Sequence, residues 1–194
     1  MIDLTARGWA VFGARGSGKS VLVAHILGTA RTHLIYDPLG EHTHFRRYVP
    51  DDRHSISELD AAISALVTPR RFGGQAAKAP EMFVIDEANK YVSPKPSPLS
   101  KGISDLVDYG RHYPCSVGFV ARRMAQFHTD IVELADAVFI FRLAGRNDYR
   151  YLEELHQGLG DVVRGLPRYH FASLAQGKIT VHAPVARSTA KSAR

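Results

Sequence analysis

The sequence contains a single cysteine and no long apolar run, and both shortages limit what the protein can be. Cys115 has no partner for an internal disulfide, so we expect it to pack in the core. Charged residues, glycine or proline interrupt every hydrophobic segment well before the roughly 20 residues that span a bilayer. The first residues also lack the apolar stretch of a secretion signal. We therefore expect a soluble protein, located in the cytoplasm or packed inside a particle.

Charge of either sign is moderate, and the small positive excess lies near the carboxyl terminus. The 194 residues carry a net charge of +6, with 45% hydrophobic and 23% charged side chains. This composition excludes a disordered or fibrous protein and is sufficient for one full core. Nine cations and four anions follow residue 141, whereas the preceding part of the chain is almost neutral. Such a surplus is typical of proteins that bind nucleic acid or another polyanion, and it also occurs without such a partner.

Short apolar runs alternate with longer helical patterns, which is typical of a mostly parallel sheet covered by helices. We predict an α/β fold with central strands at 8–12, 33–36, 82–86, 116–121 and 137–141. Helices are expected near 149–156 and over 20–27, 58–67 and 103–109. Two final β-like runs, 169–175 and 178–182, flank Gln176-Gly177 and predict a C-terminal β-hairpin. We assign 1–186 to a single domain and 187–194 to a disordered basic tail.

A glycine-rich segment between the first predicted strand and helix matches the phosphate-binding pattern G-x-x-x-x-G-K-[ST] at every fixed position. It reads Gly13-Ala14-Arg15-Gly16-Ser17-Gly18-Lys19-Ser20. The glycines let backbone N–H groups turn inward around phosphates, and the helix N-terminus adds partial positive charge. Lys19 is expected to reach the β- and γ-phosphates of ATP, and the Ser20 hydroxyl to bind Mg²⁺. A glycine-rich turn without a ligand is the alternative, and the strand–helix context argues against it.

The third predicted strand ends in two adjacent carboxylates, Asp86 and Glu87. A carboxylate in the position of Asp86 can hold Mg²⁺, and Glu87 is placed to activate the attacking water as general base. Without the preceding glycine-rich segment, both would be interpreted as solvated residues at a strand end. The adjacent pair favours nucleotide hydrolysis over transfer to a small-molecule acceptor, and no Arg-rich lid insertion is evident.

Together these motifs resemble the FtsK–HerA superfamily of DNA-pumping ATPases over residues 8–185. Members commonly end their second strand in Asp-Pro-x-Gly-Glu and carry a Gly-Arg pair before the fourth strand. The matching segments here are Asp37-Pro38-Leu39-Gly40-Glu41 and Gly110-Arg111, and the late hairpin at 166–177 is also similar. The resemblance implies a RecA-like P-loop NTPase core that binds ATP and Mg²⁺, acts on double-stranded DNA, and assembles into a pentameric or hexameric ring.

The segment after the fourth strand departs from that pattern. Family members usually place a Thr-Gln or Ser-Gln sensor there, whereas this chain continues Val120-Ala121-Arg122-Arg123-Met124-Ala125-Gln126. The resemblance places Arg123 at the sensor position, with Arg122 and Gln126 as alternatives. A guanidinium there could still contact a γ-phosphate.

The glycine-rich loop begins at residue 13, and little beyond the motor core is present. A bare core resembles the genome-packaging ATPases of tailless, membrane-containing double-stranded DNA viruses. It implies an ATP-driven translocase that is virion-associated at a packaging vertex, beside a portal or membrane protein. The alternatives are a cellular HerA-like DNA-processing ATPase, a small-molecule P-loop kinase and a non-catalytic, nucleotide-dependent scaffold.

Several further polar residues allow two interpretations. Arg111 is expected to act in trans as an arginine finger on a neighbouring subunit's nucleotide, or else to be a surface arginine at a helix end. Asp37 and Glu41 serve either a structural role in their loop or a catalytic one. His42 and His44 lack a Cys or second His cluster at ligand spacing, which argues against a bound metal other than Mg²⁺. Loop cations that could follow a DNA backbone, or remain solvated, are Arg70, Arg71, Lys78, Lys90, Lys95 and Lys101.

Overall fold

The computed structural model describes residues 4, 7–66, 80–109 and 115–186. Within these residues, one eight-stranded sheet runs through the molecule in the order β3-β2-β4-β5-β1-β6-β7-β8. The six strands from β3 to β6 are parallel, and β7 and β8 add an antiparallel hairpin. The strands are β1 (Gly8–Phe12), β2 (His33–Tyr36), β3 (Arg47–Tyr48), β4 (Met82–Ile85), β5 (Ser116–Ala121), β6 (Ala137–Phe141), β7 (Phe171–Ala175) and β8 (Lys178–His182).

Six helices connect these strands in the described part of the chain. They are α1 (Lys19–Leu27), α2 (Ile56–Leu66), α3 (Lys101–Tyr109), α4 (Thr129–Glu133), α5 (Arg146–Leu155) and α6 (Leu159–Gly165), and a short 3₁₀ turn covers Ala88–Lys90. None of these helices combines the length and the apolar composition needed to cross a bilayer.

The predicted α/β fold, with its mostly parallel sheet and C-terminal hairpin, is confirmed. The sequence pattern did not predict β3, α4 and α6. These elements span only two, five and seven residues and therefore show little periodicity. The predicted strand at 169–175 begins at Phe171 instead, because Tyr169 has φ 66° and lies in the preceding turn. The predicted tail at 187–194 lies outside the described residues.

Alternate strand residues supply two cores, one on each face of the sheet. In β1, Ala10 and Phe12 pack with residues of α2 to α6, whereas Trp9 and Val11 pack with α1. The Trp9 indole lies so close to β5 that a Cβ on Gly118 would overlap it. Cys115 is buried and unpaired, as expected, and burial raises the pKa of its thiol to about 12.

Candidate nucleotide-binding site

The sheet order places four functional segments side by side, because the carboxyl ends of parallel strands meet at one edge. From β2 to β1 the neighbouring strands are β2, β4, β5 and β1. Asp37 follows β2, Asp86 follows β4, Arg122 follows β5, and the glycine-rich segment follows β1. The segment after β5 therefore lies between the paired carboxylates and the glycine-rich loop.

The loop at 13–20 turns tightly between β1 and α1. Gly16 and Gly18 have φ angles of 73° and 113°, which residues with a Cβ atom rarely adopt. A Cβ on Gly13 would lie 2.6 Å from Ser17 Oγ and 2.7 Å from Phe141 Cβ, so this position has no room for a larger residue. The backbone N–H of Ala14 donates to the Arg142 carbonyl at 3.0 Å, which fastens the loop to the end of β6.

Lys19, at the first position of α1, folds its ammonium group back over this loop. Lys19 Nζ donates to the Gly13 carbonyl at 2.7 Å and to the Ala14 carbonyl at 3.1 Å. Burial lowers the pKa of Lys19, the Glu87 and Asp86 carboxylates oppose that shift, and Arg122 adds to it. Lys19, both carboxylates and Arg122 therefore share one electrostatic environment.

Asp86 is largely buried at the end of β4, and both of its oxygens have partners. Oδ1 accepts the Glu87 backbone N–H at 2.8 Å, and Oδ2 lies 2.8 Å from Nε2 of His42. Burial is the largest single effect on His42 and lowers its pKa, but the hydrogen bond to Asp86 and the negative charges of Asp86, Asp37 and Glu41 together raise the pKa above its usual value. His42 is a contact that the sequence did not reveal, because it follows a different strand.

Asp37 organises the loop that carries His42. Its side chain is fully buried, and its two oxygens accept the backbone N–H groups of Glu41 at 3.2 Å and His42 at 2.8 Å. Of the two roles open to Asp37, the contacts therefore fit the structural one. One ligand atom each from Asp37, His42 and Asp86 lies within 4.8 Å of the others. The tertiary structure thus brings the Asp86 carboxylate, 44 residues away in sequence, to the loop that carries Asp37 and His42.

Glu87 lies beside the glycine-rich loop in a left-handed backbone conformation, with φ 47° and ψ 38°. Its carboxylate is ion-paired with Arg122, whose Nη2 and Nε both donate to Glu87 Oε1, at 2.6 and 3.0 Å. The Glu87 side chain is 13% exposed and that of Arg122 is 44% exposed. The ion pair thus joins a largely buried carboxylate to a more exposed guanidinium.

Arg123, which the resemblance placed at the sensor position, points to a different partner. Arg123 Nε donates to Asp148 Oδ2 at 2.8 Å, and Asp148 Oδ1 accepts the Ala125 backbone N–H at 2.9 Å. Asp148 is fully buried in the first turn of α5. The contact with Glu87 is made by Arg122, one of the two alternatives, because that residue directly follows β5.

We expect Asp148→Ala to lower the free energy of unfolding by about 2 kcal/mol, because a charged acceptor of two hydrogen bonds is lost. Urea unfolding followed by circular dichroism measures the change. Asp161→Ala is the matched control, since the Asp161 side chain is 82% exposed and forms a surface ion pair with Arg164. Equal effects of the two substitutions would show that Asp148 does not organise the loop after β5.

A cavity of about 520 Å³ adjoins the glycine-rich loop on the side away from Asp86 and Glu87. The loop and the first turn of α1 form one wall, and Phe141, Arg168, Tyr169, Pro184 and Val185 form the other. The Arg168 guanidinium lies 4.7 Å from the centre of the Tyr169 ring. An aromatic ring with a cation beside the glycine-rich loop is a suitable surface for a nucleobase. Nothing in the sequence pattern identified Arg168 or Tyr169.

Other predicted site residues either fall outside the described part of the chain or take part in ion pairs away from this site. Arg111, Arg70, Arg71 and Lys78 fall outside the described residues. Lys95 and Lys101 are exposed and form ion pairs with Asp130 and Asp105.

The fold is shared with viral packaging proteins, although no family model and no curated protein matches the sequence. The chain is similar to the genome packaging NTPase B204 from Sulfolobus turreted icosahedral virus 2 in complex with AMPPCP. The TM-score is 0.74 with 18% sequence identity, over 95% of this chain and 100% of that chain. This chain has the fold of a viral genome-packaging NTPase. The resemblance to a packaging ATPase that its motifs carry is confirmed at the level of the fold.

Two further structures share this packaging-NTPase fold. B204, the DNA-packaging ATPase from Sulfolobus Turreted Icosahedral Virus, has a TM-score of 0.72 and 14% identity, over 95% of this chain and 100% of that chain. The cytoplasmic domain of the type VII secretion ATPase EccC from Thermomonospora curvata has a TM-score of 0.58 and 13% identity. The match covers 96% of this chain and 25% of EccC, so this chain corresponds to one part of that larger protein.

Proposed function

We propose that this chain is an ATP-driven motor that moves double-stranded DNA, and that it packages a viral genome. The observation that carries the proposal is the convergence of Lys19, Asp86 and Glu87 at one edge of a sheet whose fold matches B204 over nearly the full length of both chains. The B204 structures contain AMPPCP and ATP-γS, which supports a nucleoside triphosphate as the ligand.

The donor set at this edge fits a magnesium nucleotide. Mg²⁺ prefers oxygen ligands, and the Ser20 hydroxyl and the Asp86 carboxylate are the residues that would hold it. When bound, the ion would neutralise charge on the β- and γ-phosphates. Lys19 would exchange its loop carbonyl partners for phosphate oxygens, and Glu87 would accept a proton from the attacking water. The cavity beside Tyr169 would hold the base.

One observation favours a second candidate, a scaffold that binds ATP without turning it over. Glu87 must accept a proton to act as a base, yet its Oε1 already accepts two hydrogen bonds from Arg122. If that pairing persisted with ATP bound, nucleotide binding would change conformation without hydrolysis. The motor requires the pairing to break during the cycle.

An ATPase assay with and without linear double-stranded DNA tests the proposed function. A motor should release phosphate from ATP, and DNA should increase the rate. A scaffold should bind ATP with negligible turnover in both conditions. Turnover that needs a soluble acceptor and does not respond to DNA would instead identify a small-molecule kinase and reject the motor.

Lys19→Ala should weaken ATP binding by about 100-fold, the scale of two charge-assisted hydrogen bonds to phosphate. Isothermal titration with ATP and Mg²⁺ measures the affinity. Lys178→Ala, an exposed lysine at the start of β8, is the matched control and should bind ATP unchanged. Unchanged affinity in Lys19→Ala would contradict the assignment of the phosphate site.

The proposal includes an oligomeric ring, pentameric or hexameric, at the packaging vertex of a virion, next to a portal or membrane protein. Arg111 would contribute in trans to the neighbouring subunit's nucleotide site, and Lys90, with the loops around it, would contact DNA phosphates without reading bases. Size-exclusion chromatography with light scattering, in ATP and in its absence, tests the assembly.

A further inference from the structure

Arg122 lies near two groups of the candidate site, the Glu87 carboxylate with which it pairs and the Lys19 ammonium of the glycine-rich loop. On one side it donates two hydrogen bonds to Glu87 Oε1. On the other side it is close enough to the Lys19 ammonium to lower the pKa of that group. Lys19 marks where the β- and γ-phosphates would lie under the proposed function, so the guanidinium that pairs with Glu87 would also be near the terminal phosphate.

The strand order explains this placement. β5 pairs with β4 on one side and with β1 on the other, so the residue after β5 emerges between Glu87 and the glycine-rich loop. The next residue, Arg123, is fixed to the buried Asp148 and is not available for this role. The Asp148 contacts hold the loop after β5 in place, and of the two adjacent arginines Arg122 is the one that contacts the site.

We propose that Arg122 is a latch on Glu87 that the terminal phosphate of a nucleoside triphosphate releases, which deepens the proposed function and rests on it. Without a γ-phosphate, the guanidinium pairs with the carboxylate and keeps it from accepting a proton from water. A γ-phosphate carries more negative charge than one carboxylate and offers several acceptor oxygens, so it draws the guanidinium away. The base is then free only when the triphosphate is in place.

This arrangement makes a thermodynamic prediction that does not depend on turnover. The triphosphate must displace Glu87 from Arg122, so Glu87 opposes its binding through Arg122. We expect Glu87→Gln to tighten AMPPCP binding about tenfold and Arg122→Ala to weaken it about tenfold, each the scale of one charge-assisted hydrogen bond. In the Arg122→Ala background, Glu87→Gln should have no effect. ADP affinity should be the same in all four proteins.

The experiment is a double-mutant cycle on AMPPCP and ADP affinity by isothermal titration in Mg²⁺ buffer. Arg122→Lys, which keeps the charge and loses the planar fork, should give an affinity between those of the unmodified protein and Arg122→Ala. Arg31→Ala is the matched control, because Arg31 Nε pairs with Glu81 Oε1 at 2.9 Å just before the opposite end of β4. It should leave the cycle unchanged, and thermal unfolding checks that every variant is folded.

Two results would overturn the latch. If Glu87→Gln tightened AMPPCP equally with and without Arg122, Glu87 would oppose the nucleotide by simple repulsion. If neither substitution changed AMPPCP affinity, the pairing would not respond to the γ-phosphate. Either result would leave the nucleotide site intact, provided that Lys19→Ala still loses affinity. Failure of the unmodified protein to bind AMPPCP would instead reject the proposed function, and the latch with it.

Discussion

Glu87→Gln should bind ATP at least as tightly as the unmodified protein and hydrolyse it about 10² to 10⁴ times more slowly, the usual contribution of a general base. The substitution keeps the shape of the side chain and removes its basicity. The substitution adds no steric cost to the left-handed backbone at residue 87, because Glu and Gln carry the same unbranched Cβ. The measurement is steady-state phosphate release at saturating ATP, with ATP affinity determined separately.

Glu154→Gln provides the control for Glu87→Gln. Glu154 is 64% exposed on α5 and pairs with Arg150 at 3.8 Å, so it makes the same type of ion pair away from the nucleotide site. Its substitution should leave the rate unchanged. Normal turnover in Glu87→Gln would show that another group accepts the proton, and the assignment of the general base would be wrong.

The fold was predictable because most strands of the sheet are visible in the sequence as short apolar runs. The strands at 8–12, 33–36, 116–121 and 137–141 are short apolar runs with clear boundaries, and their predicted and observed limits agree. A parallel sheet with both faces covered has strands that are apolar on both sides, and that pattern is visible without tertiary information. The two-residue strand β3 has no such pattern, since it exists only through its pairing with Ile35 and Tyr36.

The site was predictable where its chemistry follows from a contiguous motif. Lys19, Ser20, Asp86 and Glu87 were assigned from the residues immediately after two strands. His42 was missed because its partner, Asp86, lies 44 residues along the chain on a neighbouring strand. Tyr169 was missed because its place at the cavity depends on a turn with φ 66°, which the sequence does not specify.

The choice between Arg122 and Arg123 shows where sequence reasoning stops. Two adjacent arginines offer the same charge, and only the direction in which each leaves β5 separates them. Arg123 forms an ion pair with Asp148 on α5, whereas Arg122 forms one with Glu87. A resemblance that aligns sensor positions by counting residues cannot make this distinction, because the partner that decides it lies on another element.

Arg111→Ala should bind ATP normally and hydrolyse it about 10³ to 10⁵ times more slowly, the range measured for arginine fingers in other NTPases. Arg111 follows α3 by two residues and lies outside the described part of the chain, so the prediction rests on its position in sequence and on the proposed ring. The substituted subunit keeps its own glycine-rich loop, Asp86 and Glu87. Only the cation supplied to a neighbour's transition state is lost.

Mixing Arg111→Ala with Glu87→Gln subunits decides whether that cation acts in trans. An Arg111→Ala subunit keeps its base and can receive Arg111 from an adjacent Glu87→Gln subunit, so in an equal random mixture roughly a quarter of the interfaces in a head-to-tail ring become complete. Phosphate release should therefore return although both parents are inactive. Light scattering and differently tagged subunits would establish that the rings are mixed. Absence of recovery in such rings would reject the finger and leave Arg111 as a residue at a helix end, while the nucleotide site built from Lys19, Asp86 and Glu87 would be unaffected.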